Sequence, residues 1–231
     1  MEKKKRKIGK TFLIIFLIIL VIIIVLIARK VIIMNSIQNK IAKYQNSTNI
    51  YVKTVSDRSL SIESFEKYIK GDIEKDVIIA KDKPVKIIQI ITPTERRNYT
   101  ISEEKKVLNI TQDENIVTTT RIVNYVESSN LIQTILNSLF TRITTEKIEG
   151  KTYYVVSGYL NGFLYTQDTI EVKAYIDKET GLTMKIEEIV KENGEKKAYA
   201  ITYTYQLDCV TDQDMQEPDR SEYIVQENGT R

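Results

Sequence analysis

The side chains most able to do chemistry lie near the C-terminus: Asp208, Asp212, Asp214, Glu217 and Asp219, with the single cysteine, Cys209, among them. Carboxylates at this density suggest a divalent cation, and an EF-hand calcium loop needs D-x-[DN]-x-[DN]-G with a Glu at position twelve. Asp212-x-Asp214-x-Gln216-Glu217 lacks the third oxygen ligand of that series and its glycine. The cluster reads as a solvated acidic segment, and no metal site is expected. Cys209 has no histidine to activate it, because the chain contains none. Its place near the end of a strand-like run reads as a buried structural thiol. The lack of His also removes the commonest general base and metal ligand. No G-x-G-x-x-G or Walker-type run exists to cradle a phosphate-bearing cofactor. Catalysis would fall to carboxylates, Lys, Tyr or Ser that do not cluster recognisably, so neither a catalytic site nor a cofactor is expected. Four N-x-[ST] triplets, at Asn46, Asn98, Asn109 and Asn228, would be glycan acceptors in a secretory eukaryotic protein; in a chain rich in Asn and Thr they read as chance.

Binding is a better prospect. Tyr199, Ile201, Tyr203, Tyr205 and Leu207 are alternate residues of one strand-like run and share a face. Tyrosine suits a buried site that meets water or a headgroup at one end, since its body is apolar and its hydroxyl is not. Opposite this stripe the sequence places a helix over 131–141, with Leu131, Ile135 and Leu139 at helical spacing behind the capping residues Ser128-Ser129-Asn130. One reading is a core packed beneath that helix. The other is an apolar cavity between a curved sheet and a helix across its mouth, able to bury an acyl chain at about 0.8 kcal/mol per CH₂. On the second reading the ligand contacts are Tyr199, Ile201, Tyr203, Tyr205, Leu207, Leu131, Ile135 and Leu139.

The elements that would position these residues are mostly strands. Segments 50–56, 60–70, 85–91, 96–101, 106–111 and 115–126 are rich in Ile, Val, Thr and Tyr, and turn-forming residues separate them. Short strands at this pitch predict an antiparallel meander. After the helix the hairpin signals strengthen at Glu149-Gly150, Asn161-Gly162, Asp177 to Gly181 and Asn193-Gly194. Strands are predicted at 151–160, 169–176, 182–190 and 198–208, with a short edge strand at 223–226. The fold class expected is α+β: an N-terminal transmembrane helix, then a curved antiparallel sheet, an incomplete barrel, with one or two helices against its concave face.

The transmembrane helix is the run of apolar residues from Phe12 to Ala28, which includes Leu17, Leu20 and Ile24. At about 1.5 Å per residue it spans roughly 26 Å, the short end of what a hydrocarbon core of about 30 Å needs. A cleaved signal peptide would end in small residues, whereas here Leu26-Ile27-Ala28-Arg29-Lys30 follows, so an uncleaved anchor is expected. The basic cluster Lys3 to Lys7 with Lys10 outweighs Arg29 and Lys30 on the other flank. That places the N-terminus in the cytoplasm and the C-terminal bulk outside, in a single pass of the cell membrane. The formal net charge of +3 belongs to these flanks; the remainder is mildly acidic, which argues against nucleic acid as a partner. After the anchor, Ile33, Ile37, Ile41 and Tyr44 form one apolar stripe, better suited to a docked helix than to a free stalk. The organisation read from the chain is a basic tail (1–11), an anchor (12–28), a juxtamembrane amphipathic helix (29–48) and a β-rich domain (49–231).

This order of elements resembles the LolA-like superfamily of lipoprotein carriers. The resemblance rests on the helix around Ile33 to Tyr44, the interrupting helix Leu131 to Arg142, and the hairpin Ala174 to Ile186 with its Asp177-Lys178-Glu179-Thr180-Gly181 turn. It rests also on the closing Tyr203 to Leu207 strand with Val210-Thr211-Asp212 and Pro218-Asp219 after it. It implies an incomplete barrel closed by helical lid segments and binding of a lipid or lipid-modified protein in its concave face. Carriers of the family use a buried Arg to trade lid states, and the sequence does not single out Arg58, Arg96 or Arg97 as its counterpart. The high Ile, Lys and Asn content is similar to that of AT-rich Gram-positive genomes. The function implied is that of a membrane-anchored extracytoplasmic protein holding a lipid, acyl chain or lipoprotein. The alternative is a ligand-free structural or regulatory domain that partners a cell-envelope protein.

Overall fold

The computed structural model describes residues 2–45, 47–57, 62–81, 83–113, 141–158 and 169–228. It opens with one continuous helix, α1 (Glu2–Gln45). Every large side chain from Phe12 to Leu26 is exposed, and among the described residues α1 is the one helix long and apolar enough to cross a membrane. Past Lys30 its character changes. Met34, Ile37 and Ile41 recur at helical spacing and are buried against strands, flanked by Ile33 and Tyr44. The stripe read from the sequence is therefore docked on the domain, without a break in the helix.

The strands are β1 (Asn49–Ser56), β2 (Ile62–Lys70), β3 (Ile73–Ala80), β4 (Val85–Ile91), β5 (Arg96–Ser102), β6 (Val107–Asp113), β7 (Thr141–Ile148), β8 (Lys151–Gly158), β9 (Thr169–Asp177), β10 (Thr183–Glu192), β11 (Glu195–Leu207) and β12 (Ile224–Asn228). They form one sheet in the order β12-β6-β5-β4-β3-β2-β1-β11-β10-β9-β8-β7. Two antiparallel meanders are joined at its centre by β1 and β11, and β12 adds to the β6 edge in parallel. Among the described residues no ladder joins β7 to β12, so the sheet is open. Two strands were not foreseen, β3 and β7. The helix expected over 131–142 lies outside the described residues except for Thr141 and Arg142, which are strand. The expected strand 115–126 and the Asn161-Gly162 turn also lie outside them.

Directly paired residues point to the same side of a sheet, and following one row across the ladder exposes a change of character. Tyr205 pairs Val52, Val52 pairs Lys67, Lys67 pairs Asp76, Asp76 pairs Gln89 and Gln89 pairs Asn98. The side that carries α1 is thus apolar from β1 through β8, and along this row it turns polar from β2 onward toward β6, with Ile69 and Phe65 keeping β2 apolar on either side of Lys67. On that polar stretch Lys67, 4% exposed, meets Asp76, 3% exposed, at 3.0 Å, and also meets Glu74. The outer core of β3–β6, with Val77, Ile88, Tyr99, Ile101 and Leu108, faces the other way.

That outer core is covered by the C-terminal segment. Asp212 pairs Lys70 at 2.7 Å, Lys75 donates to the carbonyls of Asp214 and Gln216 at 2.7 Å each, and Glu217 takes Arg97 at 2.7 Å. Tyr223 packs on the outer core and donates to Glu103 at 2.8 Å before β12 joins the edge. The acidic residues therefore strap the chain across the sheet. Cys209 belongs to this strap and is exposed, not buried as expected; the strand ends at Leu207, and its thiol lies 3.7 Å from the Gln206 carbonyl.

Candidate functional site

The tyrosine stripe lies on the α1 side at the centre of the sheet. Its alternation is the reason: β11 runs unbroken through it, so Tyr199, Ile201, Tyr203 and Tyr205 all take one side. Two parts of it do different things. Toward the end of β11, Tyr205 packs on the cores that Met34, Ile37 and Ile41 complete. Tyr203, 5% exposed, sits between, its ring stacked on Tyr205 at 6.3 Å. Leu207 is 40% exposed and contributes little to either. Leu131, Ile135 and Leu139 lie outside the described residues.

At the other end of the stripe a cavity of about 230 Å³ remains open, lined by Tyr199, Ile201 and Tyr203 together with Ile62, Phe65 and Glu188. Thr54, Ser56, Glu63 and Ser64 complete its described wall. Register places these residues together: Thr54 faces Tyr203 and Phe65, Ser56 faces Ile201, and Glu188 faces Tyr199. The residues from β1, β2 and β10 were missed because a single sequence does not say which strands flank β11. The one available signal was Phe65, an aromatic in a strand otherwise rich in charge.

The walls are apolar with a few polar atoms. Ser56 Oγ is buried without a hydrogen-bond partner, and Glu188 is 5% exposed at the floor. Tyr199 donates to the Glu192 carboxylate at 2.9 Å, which turns its hydroxyl outward along β10. Burial pushes the Tyr203 hydroxyl up to about 12. Burial, with Tyr203 beside it, also raises Tyr205, whose hydroxyl is buried without a partner. Both tyrosines are neutral at physiological pH. What the apolar side chains of the lining can do is bury an apolar group.

A second cavity, of about 280 Å³, opens on the outer face between Glu66, Tyr68, Lys75, Lys86 and Asp214. Lys75 and Asp214 are tied into the strap, and Glu66 is held by Lys53 and Tyr68. Burial, and then Lys86, lowers the Lys75 ammonium while it holds two strap carbonyls. Glu66 is held low against its burial by Lys53 and Tyr68. Arg97 is likewise engaged by Glu95 and Glu217 on this outer face; Arg58 lies outside the described residues. Among the described residues no group of three His, Cys, Asp or Glu side chains could hold a metal ion.

No family model and no curated protein matches the chain. Solved structures similar to it include an uncharacterised conserved protein from Thermus thermophilus, 11% identical over 84% of this chain and 98% of that one, with a TM-score of 0.46. The Pseudomonas aeruginosa MucA/MucB complex is similar at 10% identity over 83% of this chain and 63% of that one, with a TM-score of 0.42. A LolA superfamily protein from Nitrosomonas europaea is similar at 12% identity over 79% of this chain and 97% of that one, with a TM-score of 0.25.

Proposed function

We propose that the chain is a membrane-anchored, extracytoplasmic binding protein that accepts an acyl chain, borne by a lipid or a lipoprotein, in the cavity beside the tyrosine stripe. One observation carries the reading: α1 fills part of the apolar face and leaves the rest as an open cavity walled by Ile62, Phe65, Tyr199, Ile201 and Tyr203. The size suits one chain and not a whole lipid, because pockets that enclose drug-sized ligands run about 300–1,000 Å³ and this one holds about 230 Å³. Each methylene moved into it from water contributes about 0.8 kcal/mol. In this reading α1 stays uncut, the basic N-terminus is cytoplasmic, and the sheet stands on the outer side. The chain is a binder and not a catalyst.

The second reading is a ligand-free domain that partners another envelope protein. It is favoured by the same helix, since Met34, Ile37 and Ile41 already occupy much of the apolar face. One experiment separates the two. The chain has no tryptophan, so Phe65→Trp introduces a single indole in the cavity wall and Tyr223→Trp a control on the outer face. With the full chain in dodecyl maltoside micelles, decanoate brominated at its terminal carbon should quench the Phe65→Trp variant several-fold more than the Tyr223→Trp variant. Equal quenching of both sinks the acyl-binding reading and leaves the partner domain.

A further inference from the structure

We infer that the cavity opens at the membrane surface and draws its acyl chain directly from the leaflet into which α1 is set, in cis, while the headgroup stays at the interface. The inference rests on the acyl-binding reading above and adds where the ligand comes from.

The levels of the two ends of the sheet relative to α1 carry it. The helix ends at Gln45 and β1 begins at Asn49, with Ile41 and Ile50 in one core cluster, so β1 returns along the helix toward its N-terminal half. Gln45 back to Lys30 is about 22 Å at 1.5 Å per residue. Asn49 to Ser56 covers nearly the same distance, about 23 Å at 3.3 Å per residue. Ser56, in the cavity wall, therefore lies at the end of β1 remote from Gln45, on the side toward which α1 approaches its apolar run.

A second line reaches the same end of the sheet through the other meander. The Lys30 ammonium donates to the Thr141 carbonyl at 2.6 Å. Thr141 pairs Gly158, one residue beyond the Ser157–Lys173 pair, and the next positions of that row are Val172, Glu188 and Tyr199. Glu188 and Tyr199 both line the cavity. The opposite ends of the strands, at Ile50, Ile69 and Leu182, cluster with Ile41 far from the apolar run. The cavity is thus at the membrane end of the sheet.

The helix also denies the domain any reach. It is continuous through the junction, and Met34 is already packed on the sheet. Only Arg29 to Ile33 separates it from the apolar run, about 8 Å of helix. A domain fixed this close cannot lift away to meet a ligand in solution, whereas a chain leaving the outer leaflet needs to travel little. Val55 and the cavity-wall residue Ile62, both at this end of the sheet, are exposed, which favours contact with the interfacial zone.

The test uses the Phe65→Trp variant of the full chain in nanodiscs of phosphatidylcholine, with no amphiphile added. One set of discs carries bromines near the carbonyl end of the acyl chains, a second near the methyl end, and a third none. The inference expects several-fold quenching in the methyl-end discs, because an inserted chain leads with its terminus. It also expects that quenching to fall to the unbrominated level when Ser56→Phe fills the cavity. Quenching by carbonyl-end bromines alone would mean that the indole merely lies near the surface, and would overturn it. No quenching in either disc, alongside selective quenching by brominated decanoate in micelles, overturns capture from the leaflet and keeps the acyl site. No selective quenching in any arm removes the site itself. A circular dichroism melt of Ser56→Phe checks that it is folded, and the two bromine depths in the parent reporter decide the matter if it is not.

Discussion

Gly181→Ala tests whether the C-terminal half of α1 is seated on the sheet. Gly181 has φ +77°, and a Cβ built there would lie 2.8 Å from the Ile37 carbonyl oxygen and 3.0 Å from Lys40 Cβ. The Ile37 oxygen is backbone inside a continuous helix and cannot step aside; either the β9–β10 turn or the helix must retreat. Gly194, in the β10–β11 turn, is the internal control, with φ +86° and nothing within 4 Å of its would-be Cβ. Alanine at either position incurs the left-handed backbone cost of about 1–2 kcal/mol, and any gain from stiffening the unfolded chain is common to both. Overpacking against the helix adds about 1–3 kcal/mol at Gly181 alone. At roughly 2–4 °C per kcal/mol for a chain of this size, Gly181→Ala should melt several degrees below Gly194→Ala. The measurement is a far-ultraviolet circular dichroism melt of the full chain in detergent. Equal melting temperatures would show that the helix does not press on the turn. The account of what fills the apolar face, and of what it leaves open, would then fail.

Four other outcomes are expected from the buried and half-buried polar groups. Lys67→Met removes the ammonium between Glu74 and Asp76 and should cost about 3–5 kcal/mol, because two carboxylates stay buried without it; a denaturant midpoint equal to the parent's would refute the triad's role. Burial raises Asp76 from 3.8 to about 6 despite Lys67, so the folded state holds that proton more tightly than the unfolded chain. Stability should therefore fall as pH rises from about 4 to 6. Asp76→Asn should flatten that slope. Glu66 and Glu187 act in the opposite sense: against burial, Lys53 and Lys185 hold them below the ordinary value of 4.5, and the stability they add is lost as pH drops through that range. Tyr205→Phe should raise stability by about 1–2 kcal/mol in the same melts, since it deletes a buried hydroxyl that has no partner; a lower melting temperature would mean the hydroxyl is satisfied.

Much of the fold was legible because its strands obey simple alternation. β9, β10 and β11 read directly from Val172-Ala174-Ile176, from Met184-Ile186 and from the tyrosines, with turns marked by Gly181 and Gly194. The docked stripe of α1 was legible for the same kind of reason, at period 3.6 in place of 2. β3 was not, because Glu74, Lys75 and Asp76 look like a solvated turn until Lys67 is known to lie across the ladder from Asp76. β7 was hidden by Glu146 and Lys147 at an exposed edge. In β3 to β6 alternation shows only that one face is apolar, never which, and here it is the face away from the helix. The site was half visible: β11 supplied its tyrosines, but its other walls depend on pairings with β1, β2 and β10 that no local pattern encodes.

The cavity follows from asking one helix to serve two solvents. α1 can cover the sheet only where it carries a narrow apolar stripe, Met34, Ile37 and Ile41, with polar residues turned to water. To cross a bilayer, as proposed, it must be apolar all round, and from Phe12 to Leu26 it is, every side chain there being large, apolar and exposed. The two regimes meet at Lys30, where the ammonium binds the sheet edge at Thr141 and the helix begins to leave the domain. The strands do not stop there: β1 still has Thr54 and Ser56 to run, and β11 has yet to be covered at Tyr199 and Ile201. Whatever apolar surface those residues offer is beyond the reach of the stripe. Lengthening the stripe past Lys30 would draw the domain into the headgroups, and shortening the strands would take away the rows that pair β1 with β11. Among the described residues an apolar recess that α1 does not fill is the geometric consequence, and in the function proposed here lipid is the solvent standing next to it.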